Sequence, residues 1–378
     1  MPERRARNLI QSAAVSAFRI PTEQPEESDG TATWNSTTLV IVELHAGNTG
    51  GLGFTYSDVT AAHLAQELIR KEVLGKDPFA IPEIHSALDR EVRNMGRPGL
   101  VSTAISAIDT CLWDLKARLL ECSLLELLGQ HRASIPAYGS GGFTSYSERQ
   151  LIDQLTGWAA EGIRFVKMKI GRHPADDISR IRAVQKALNG KAQIFVDANG
   201  AYSRKQALHQ AEQFAAMGVA WFEEPLNPDA LDDFVTLRNA SRVPIAGGEC
   251  LTRRQSFQPW LEARAFDIVQ PDVTKCGGLS EQRRIAWTAH QHGVRLIPHG
   301  WNTALGLASD LQLASAFADI DLVEYLTGSP FIDDLAAGGF RLDADGKLAI
   351  PCAPGLGVAV NLDALAEFSR SDVSDLRG

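Results

Sequence analysis

From Pro136 onward the chain repeats one unit, a short apolar or β-branched run followed by a helix-length amphipathic segment. The runs are AYGSGG (137–142), FVKMKIG (165–171), IFVDANG (194–200), AWFEEP (220–225), PIAGGE (244–249), FDIVQPD (266–272), VRLIPHG (294–300) and LVEYL (322–326). A spacing of ~25 residues is the length of one strand, one helix and two short loops. Strands alternating with helices build a parallel sheet. Eight such units are the number that closes a (β/α)8 barrel, so the predicted fold class is α/β, a TIM-type barrel without a free sheet edge.

Chemistry repeats with the strands. Their C-terminal ends carry Lys167 and Lys169, then Asp197, Glu223, Glu249, Asp272, His299 and Glu324. Asp197, Glu223 and Glu249 follow one another at intervals of 26 residues. One carboxylate at a strand end is ordinarily a solvated loop residue or a helix cap. Three in register on neighbouring strands repel one another unless they share a cation, and an all-oxygen set suits a hard octahedral ion, Mg²⁺. Lys167 and Lys169 are two apart, so both point into the barrel while Val166, Met168 and Ile170 point outward. A second ammonium and a metal nearby are expected to lower the Lys169 pKa and free an amine as base. Asp272, ending the strand before His299, can accept its ring N–H and favour the charged imidazole. Glu324 is a candidate partner for an oxyanion or an extra hydroxyl. Asn199 shares the face of Asp197 and is a candidate substrate contact, whereas Lys275 fits a surface cation as well as a site residue.

The first 130 residues have a different texture. From Ile10 to Gly53 the pattern is extended, with a polar insert, PTEQPEESDGTATWNS, between FRI and TTLVIVEL; it predicts a hairpin with a long mobile loop. Three helical periodicities follow, the last running unbroken through STAISAIDTCLWDLKARLLECSLLELLG to Gly129. The expected division is an α+β unit over 1–130, a barrel over 131–350 and a terminal segment over 351–378. A net charge of −9 repels a phosphate backbone and argues against nucleic acid as partner. The longest apolar runs are too short to span a membrane, and MPERRARNLIQ lacks the apolar core of a leader, so a cytoplasmic protein is expected. The five cysteines stand in no metal-binding spacing and are expected to be reduced and mostly buried.

Taken together, VKMKIG, VDANG, WFEEP, GGE, QPDVTKCGG and PHG resemble the enolase superfamily, and within it the mandelate racemase and muconate lactonizing enzyme group. The resemblance extends to the SAIDTCLWDLKARLL helix of an N-terminal capping domain and to PGLGVAVN, which in such proteins returns to the cap. It implies a modified, enolase-like barrel in which a base removes the proton α to a carboxylate and Mg²⁺, held by Asp197, Glu223 and Glu249, stabilises the enediolate. By that resemblance Lys169 is one base and the His299–Asp272 pair the other, Lys167 touches the substrate carboxylate and tunes Lys169, and Glu324 stands opposite. The same two bases serve dehydration, racemisation or epimerisation, and cycloisomerisation. The acidic, polar segment from Thr22 to Ser36, with Trp34, and the second cap loop, with Thr55 and Tyr56, suit a polyhydroxylated acid. The expected reaction is therefore dehydration of an acid sugar, a small carboxylate, to a 2-keto-3-deoxy acid. A non-catalytic barrel would have no use for the complete set of ligands and bases. A homo-oligomer is expected.

Overall fold

The computed structural model describes residues 9–301, 303–326, 335, 339–365 and 368–377. Met1–Asn8, on which the reading of the leader falls, lie outside them. Three long strands open the chain, β1 (Ile10–Pro21), β4 (Ser36–Ala46) and β5 (Thr49–Ser57), with the two-residue strands β2 (Glu27–Ser28) and β3 (Thr33–Trp34) between the first two. Helices α1 (Val59–Glu72), α2 (Ile81–Glu91), α3 (Leu100–Leu119) and α4 (Leu124–Leu128) follow. Asp58 caps α1 by accepting the Thr60 N–H at 2.8 Å. The apolar sides of β1 and β4 pack against α1–α3 in a core of their own, which includes Val40, Val42, Ile69, Ile84 and Ile108. Strand β5 lies so close on α3 that a Cβ at Gly53 would strike the Ala107 carbonyl, and only glycine fits there.

The single long helix expected to end at Gly129 is two helices. The chain turns between Leu120 and Ser123, where Ser123 and Glu126 form a capping box, and the Leu124 N–H donates to Gly355 O of the terminal segment at 2.8 Å. That competing start signal outweighs the continuous apolar stripe. The polar insert also departs from expectation. It folds into the β2–β3 hairpin, pairing Glu27 with Trp34 and Ser28 with Thr33, and docks on the barrel through Ser28 Oγ and Thr144 Oγ1 (2.7 Å) and Thr31 Oγ1 to Asn199 O (3.0 Å).

The strands β6 (Ser134–Gly141), β7 (Phe165–Lys169), β8 (Gln193–Asp197), β9 (Trp221–Glu223), β10 (Ile245–Gly247), β11 (Ile268–Val269), β12 (Arg295–Leu296) and β13 (Val323–Tyr325) are the eight read from the sequence. They are all parallel, in the order β12-β11-β10-β9-β8-β7-β6-β13. Helices α5 (Glu148–Ala160), α6 (Asp177–Leu188), α7 (Arg204–Met217), α8 (Leu231–Ala240), α9 (Arg253–Glu262), α10 (Gly278–His292) and α11 (Ala304–Ala316) alternate with them. The edgeless barrel is not fully realised: among the described residues no ladder joins β12 to β13. Strand β14 (Lys347–Ala349) pairs antiparallel with the start of β6, and β15 (Ser369–Arg377) returns to the first sheet and pairs with β1.

Inside the barrel the two-residue period of the strands produces layers. Tyr138, Phe195, Trp221, Ala246, Ile268, Ile297 and Leu322 make an apolar floor, in which Phe195 stacks on Trp221. Two residues further along β8 and β9 come Asp197 and Glu223, with Lys169, Asp197 and Glu223 side by side in the ladder. Among the described residues no helix is long and apolar enough to cross a membrane.

Candidate active site

The polar layer above the floor is buried. Lys167 is fully buried, its ammonium 2.5 Å from Glu223 Oε1, 2.9 Å from Glu324 Oε1 and 3.7 Å from Asp197 Oδ2. Burial disfavours its charge, but Glu223 and Glu324 outweigh burial and hold it well above the lysine range. Glu324 spends its other oxygen on the Gly300 N–H at 2.8 Å. Burial raises the Glu324 carboxyl, yet Lys167 and His299 bring it down to about 2, so it is ionised and accepts rather than donates. Neither Lys167 nor Glu324 lines the pocket above. In this structure both are engaged in the ion-paired layer beneath it.

Lys169 does reach the pocket, and its ammonium contacts Asp197. The expected fall of its pKa depends on a cation bound at Asp197, whose charge would offset that carboxylate. Burial and Lys167 act downward, but the touching Asp197 carboxylate, with Glu249 and Glu223 behind it, holds the ammonium above the usual range. Across the mouth, His299 places Nδ1 2.8 Å from Asp272 Oδ2 and Nε2 3.0 Å from Glu249 Oε2. Burial opposes the imidazolium, and Glu249, Glu324 and Asp272 more than compensate. Asp272 in turn accepts from Thr274 N–H at 2.7 Å and lies below the usual carboxylate range despite burial.

Ligand oxygens of Asp197, Glu223 and Glu249 lie within 4.8 Å of one another. Three buried carboxylates at that spacing are a donor set for a hard divalent cation, and the residues fit Mg²⁺. Gln270 Nε2 donates to Glu223 Oε2 at 2.9 Å and fixes that carboxylate from the side. Burial, reinforced by Asp197 and Glu324, pushes Glu223 up to about 7 against the pull of Lys167.

The pocket over these groups has a volume of about 330 Å³. Of the predicted cap contacts, Trp34 and Tyr56 line it, as does Asn199. Trp34 stands edge-on to Phe143 and Trp301, with centroids at 5.6 and 5.5 Å, and donates Nε1–H to Glu27 at 3.2 Å. Thr55 does not line the pocket: it is fully buried and donates its hydroxyl to Thr274 O at 2.9 Å. Asn199 is not on the strand face of Asp197. It sits just beyond the strand at φ 44°, its N–H on Asp197 Oδ1 at 2.9 Å. Lys275 belongs to the site, with Nζ 3.9 Å from Glu249 and 5.0 Å from the centre of the Tyr56 ring. Trp301 and Gln270 were missed by sequence reasoning, although Trp301 directly follows the PHG run that drew attention to His299. All five cysteines are free, as expected, but Cys250 and Cys352 are exposed rather than buried, because Cys250 sits at the barrel mouth and Cys352 in the segment leaving β14.

Comparison with known proteins agrees with this geometry. Residues 150–364 match the enolase C-terminal domain-like family, and residues 15–129 match the N-terminal domain of mandelate racemase and muconate lactonizing enzyme. The chain is 36% identical over 313 residues to the D-galactarolactone cycloisomerase of Agrobacterium fabrum, covering 79% of this chain and 82% of that one. The crystal structure of a mandelate racemase/muconate lactonizing enzyme-like protein from Rubrobacter xylanophilus superposes with a TM-score of 0.86 at 36% identity, over 95% of this chain and 99% of the other. L-talarate/galactarate dehydratase from Salmonella typhimurium, liganded with Mg and L-lyxarohydroxamate, superposes with a TM-score of 0.88 at 28% identity, over 98% of this chain and 94% of the other. The relatives are enzymes that comprise acid-sugar dehydratases, lactone cycloisomerases and muconate cycloisomerases. With magnesium present in the related structures and a carboxylate triad here that fits it, Mg²⁺ is the cofactor. On fold, both domain matches and these relatives, the chain belongs to the enolase superfamily, in its mandelate racemase/muconate lactonizing enzyme branch.

Proposed function

We propose that the protein removes the proton α to the carboxylate of an acid sugar and expels the β-hydroxyl as water, leaving a 2-keto-3-deoxy acid. The observation that carries this reading is that Lys169, on the second barrel strand, and His299, just beyond the seventh, open onto one pocket. The carboxylates of strands three to five lie between them. Bound at Asp197, Glu223 and Glu249, Mg²⁺ supplies positive charge against the substrate carboxylate and the enediolate. Lys169 takes the α-proton. His299, oriented by Asp272, passes its proton to the departing oxygen as the Cβ–O bond breaks, and the resulting enol ketonises. Lys167 and Glu324 hold the ligand carboxylates in place from below, and Asn199, Tyr56 and Trp34 face the sugar. The reading includes a cytoplasmic homo-oligomer that acts on small carboxylates and not on nucleic acid.

The 36% identity to a lactone cycloisomerase favours a second reading, in which the same α-proton leaves but the oxygen expelled is that of a lactone ring. The two are separated by mass. Hexonates, hexarates and their lactones are incubated with the Mg²⁺-loaded protein, and keto acids are captured with semicarbazide. A keto acid lighter than its substrate by one water establishes the dehydratase, and one of unchanged mass from a lactone establishes the cycloisomerase. Deuterium entering the α position without keto acid means racemisation or epimerisation. No keto acid and no α-deuterium from any of these compounds overturns the proposal.

A further inference from the structure

The segment that leaves strand β11 carries Asp272 and is held from two sides, by barrel residues such as Arg253, whose N–H donates to Cys276 O at 3.0 Å, and by the first domain. On α3, Ser102, Ser106, Asp109 and Trp113 recur at intervals of four, three and four residues, which puts them on one helix face. That face follows the segment residue by residue. Ser102 Oγ donates to Lys275 O at 2.6 Å. Ser106 Oγ accepts the N–H groups of Gly277 and Gly278 at 2.9 and 3.1 Å. Asp109 Oδ2 accepts the Ser280 N–H at 2.8 Å, and Trp113 Nε1 donates to Ser280 Oγ at 2.8 Å. At φ +79°, Gly278 also has no room for a side chain, since its Cβ would stand 2.6 Å from Asp109 Oδ2.

Strand β5 completes the clamp from the other end. Thr55 holds Thr274 O, and Tyr56 donates its phenol to Asp272 Oδ2 at 3.0 Å, the same oxygen that meets His299 Nδ1. The tie to Lys169 is more remote: among the described residues no side chain of the first domain hydrogen-bonds to Lys169 or to its partner Asp197, and the contact of Thr31 reaches Asp197 only through the backbone of Asn199.

We propose that Tyr56 is a positioning residue for one of the two proton-transfer groups, and that the first domain, through Tyr56 and the polar face of α3, sets the aim of His299 while leaving Lys169 untouched. The inference rests on the reading of His299 and Lys169 as proton carriers. It means that the first domain shapes catalysis on one face of the substrate in addition to covering the pocket.

The experiment measures α-hydrogen exchange in deuterated water, with Mg²⁺-loaded protein, on hexonates and hexarates paired as C2 epimers. The epimer served by each group is defined by Lys169→Met and His299→Asn. Tyr56→Phe keeps the ring and removes one hydrogen bond to a charged group, so exchange of the His299-side epimer is expected to slow by roughly tenfold to a hundredfold. Because Tyr56 also lines the pocket, the arm expected to stay within about twofold is Lys169-side exchange in Ser106→Ala. Ser106→Ala, which does not alter the pocket, is expected to slow the His299-side epimer to a lesser degree than Tyr56→Phe does. Equal slowing of both epimers, or of neither, overturns the proposal.

A second readout needs no substrate. In ¹⁵N-histidine-labelled protein the His299 ring signals, identified by their loss in His299→Asn, are expected to shift in Tyr56→Phe. Unchanged signals overturn the proposal, and a shift carries it even if the wild-type protein exchanges no acid sugar. In that last case it is the acid-sugar reading that falls.

Discussion

Glu324, on the eighth strand, accepts the N–H of Gly300, just beyond the seventh, at 2.8 Å. This bond crosses the gap where β12 and β13 share no ladder, and the other Glu324 oxygen is paired with Lys167 at 2.9 Å. The residue therefore joins the barrel wall to the charged layer inside it. Glu324→Ala leaves a buried ammonium and a backbone N–H short of a partner and is expected to cost about 3 kcal/mol. Glu324→Gln keeps the acceptor for Gly300 and is expected to cost less. Urea unfolding, with midpoints compared at constant slope, checks the order; equal midpoints for Ala and wild type would refute it.

A carboxylate triad assembled only by folding ties Mg²⁺ binding to stability by mass action. At a free concentration a hundred times the dissociation constant the gain is about 2.7 kcal/mol. A melting temperature that rises with Mg²⁺ and falls back with EDTA is expected for the wild type. Asp197→Asn, Glu223→Gln and Glu249→Gln are each expected to abolish the rise. A full response in any of the three removes that residue from the ligand set.

The two proton carriers should be separable. Lys169→Met and His299→Asn are each expected to slow turnover by about 10²–10⁴-fold. Each should also retain α-deuterium exchange with the epimer served by the other group. If one variant loses exchange with both epimers and the other with neither, the assignment to opposite faces is wrong.

Glu27 makes the cap hairpin sensitive to pH. Burial pushes its carboxyl from 4.5 up to about 7, against the Trp34 N–H that favours the ion, with Glu23 adding repulsion. The folded state thus binds the extra proton between these values, so the stability Glu27 contributes is complete below pH 4.5 and is lost as the pH rises through about 7. Glu27→Gln keeps an acceptor for Trp34 and has no charge to bury. Melting temperatures of the two proteins across that range are expected to move in favour of the Gln variant as pH increases; parallel curves would refute the account.

Much of the barrel and of the carboxylate triad was legible because a strand exposes every second residue to the interior, and Asp197, Glu223 and Glu249 obey that rule at constant spacing. What escaped depends on contacts between segments far apart in the chain. Thr55 and Tyr56 are neighbours on a strand and point to opposite faces, so a reading of both as substrate contacts had to fail for one of them. Sequence order reveals Lys167 two residues from Lys169 but not the direct touch of Asp197, 28 residues on, which opposes the effect of Lys167. Gln270 and the Ser102–Ser106–Asp109 stripe look like unremarkable polar residues until the fold sets Gln270 on Glu223 and the segment after β11 on the stripe.

The pairing of Ser12 with Arg377 has a consequence for biogenesis. Strand β1 emerges from the ribosome early, yet its partner β15 follows the whole barrel, so the first sheet remains unfinished while every catalytic strand is being made. During that interval β1 presents an open hydrogen-bonding edge, the kind of surface on which nascent chains associate with one another. A closure spanning nearly the full chain is also slow to form. A nascent chain stalled before residue 369 would carry a nearly complete barrel and a sticky flank, a natural substrate for chaperones.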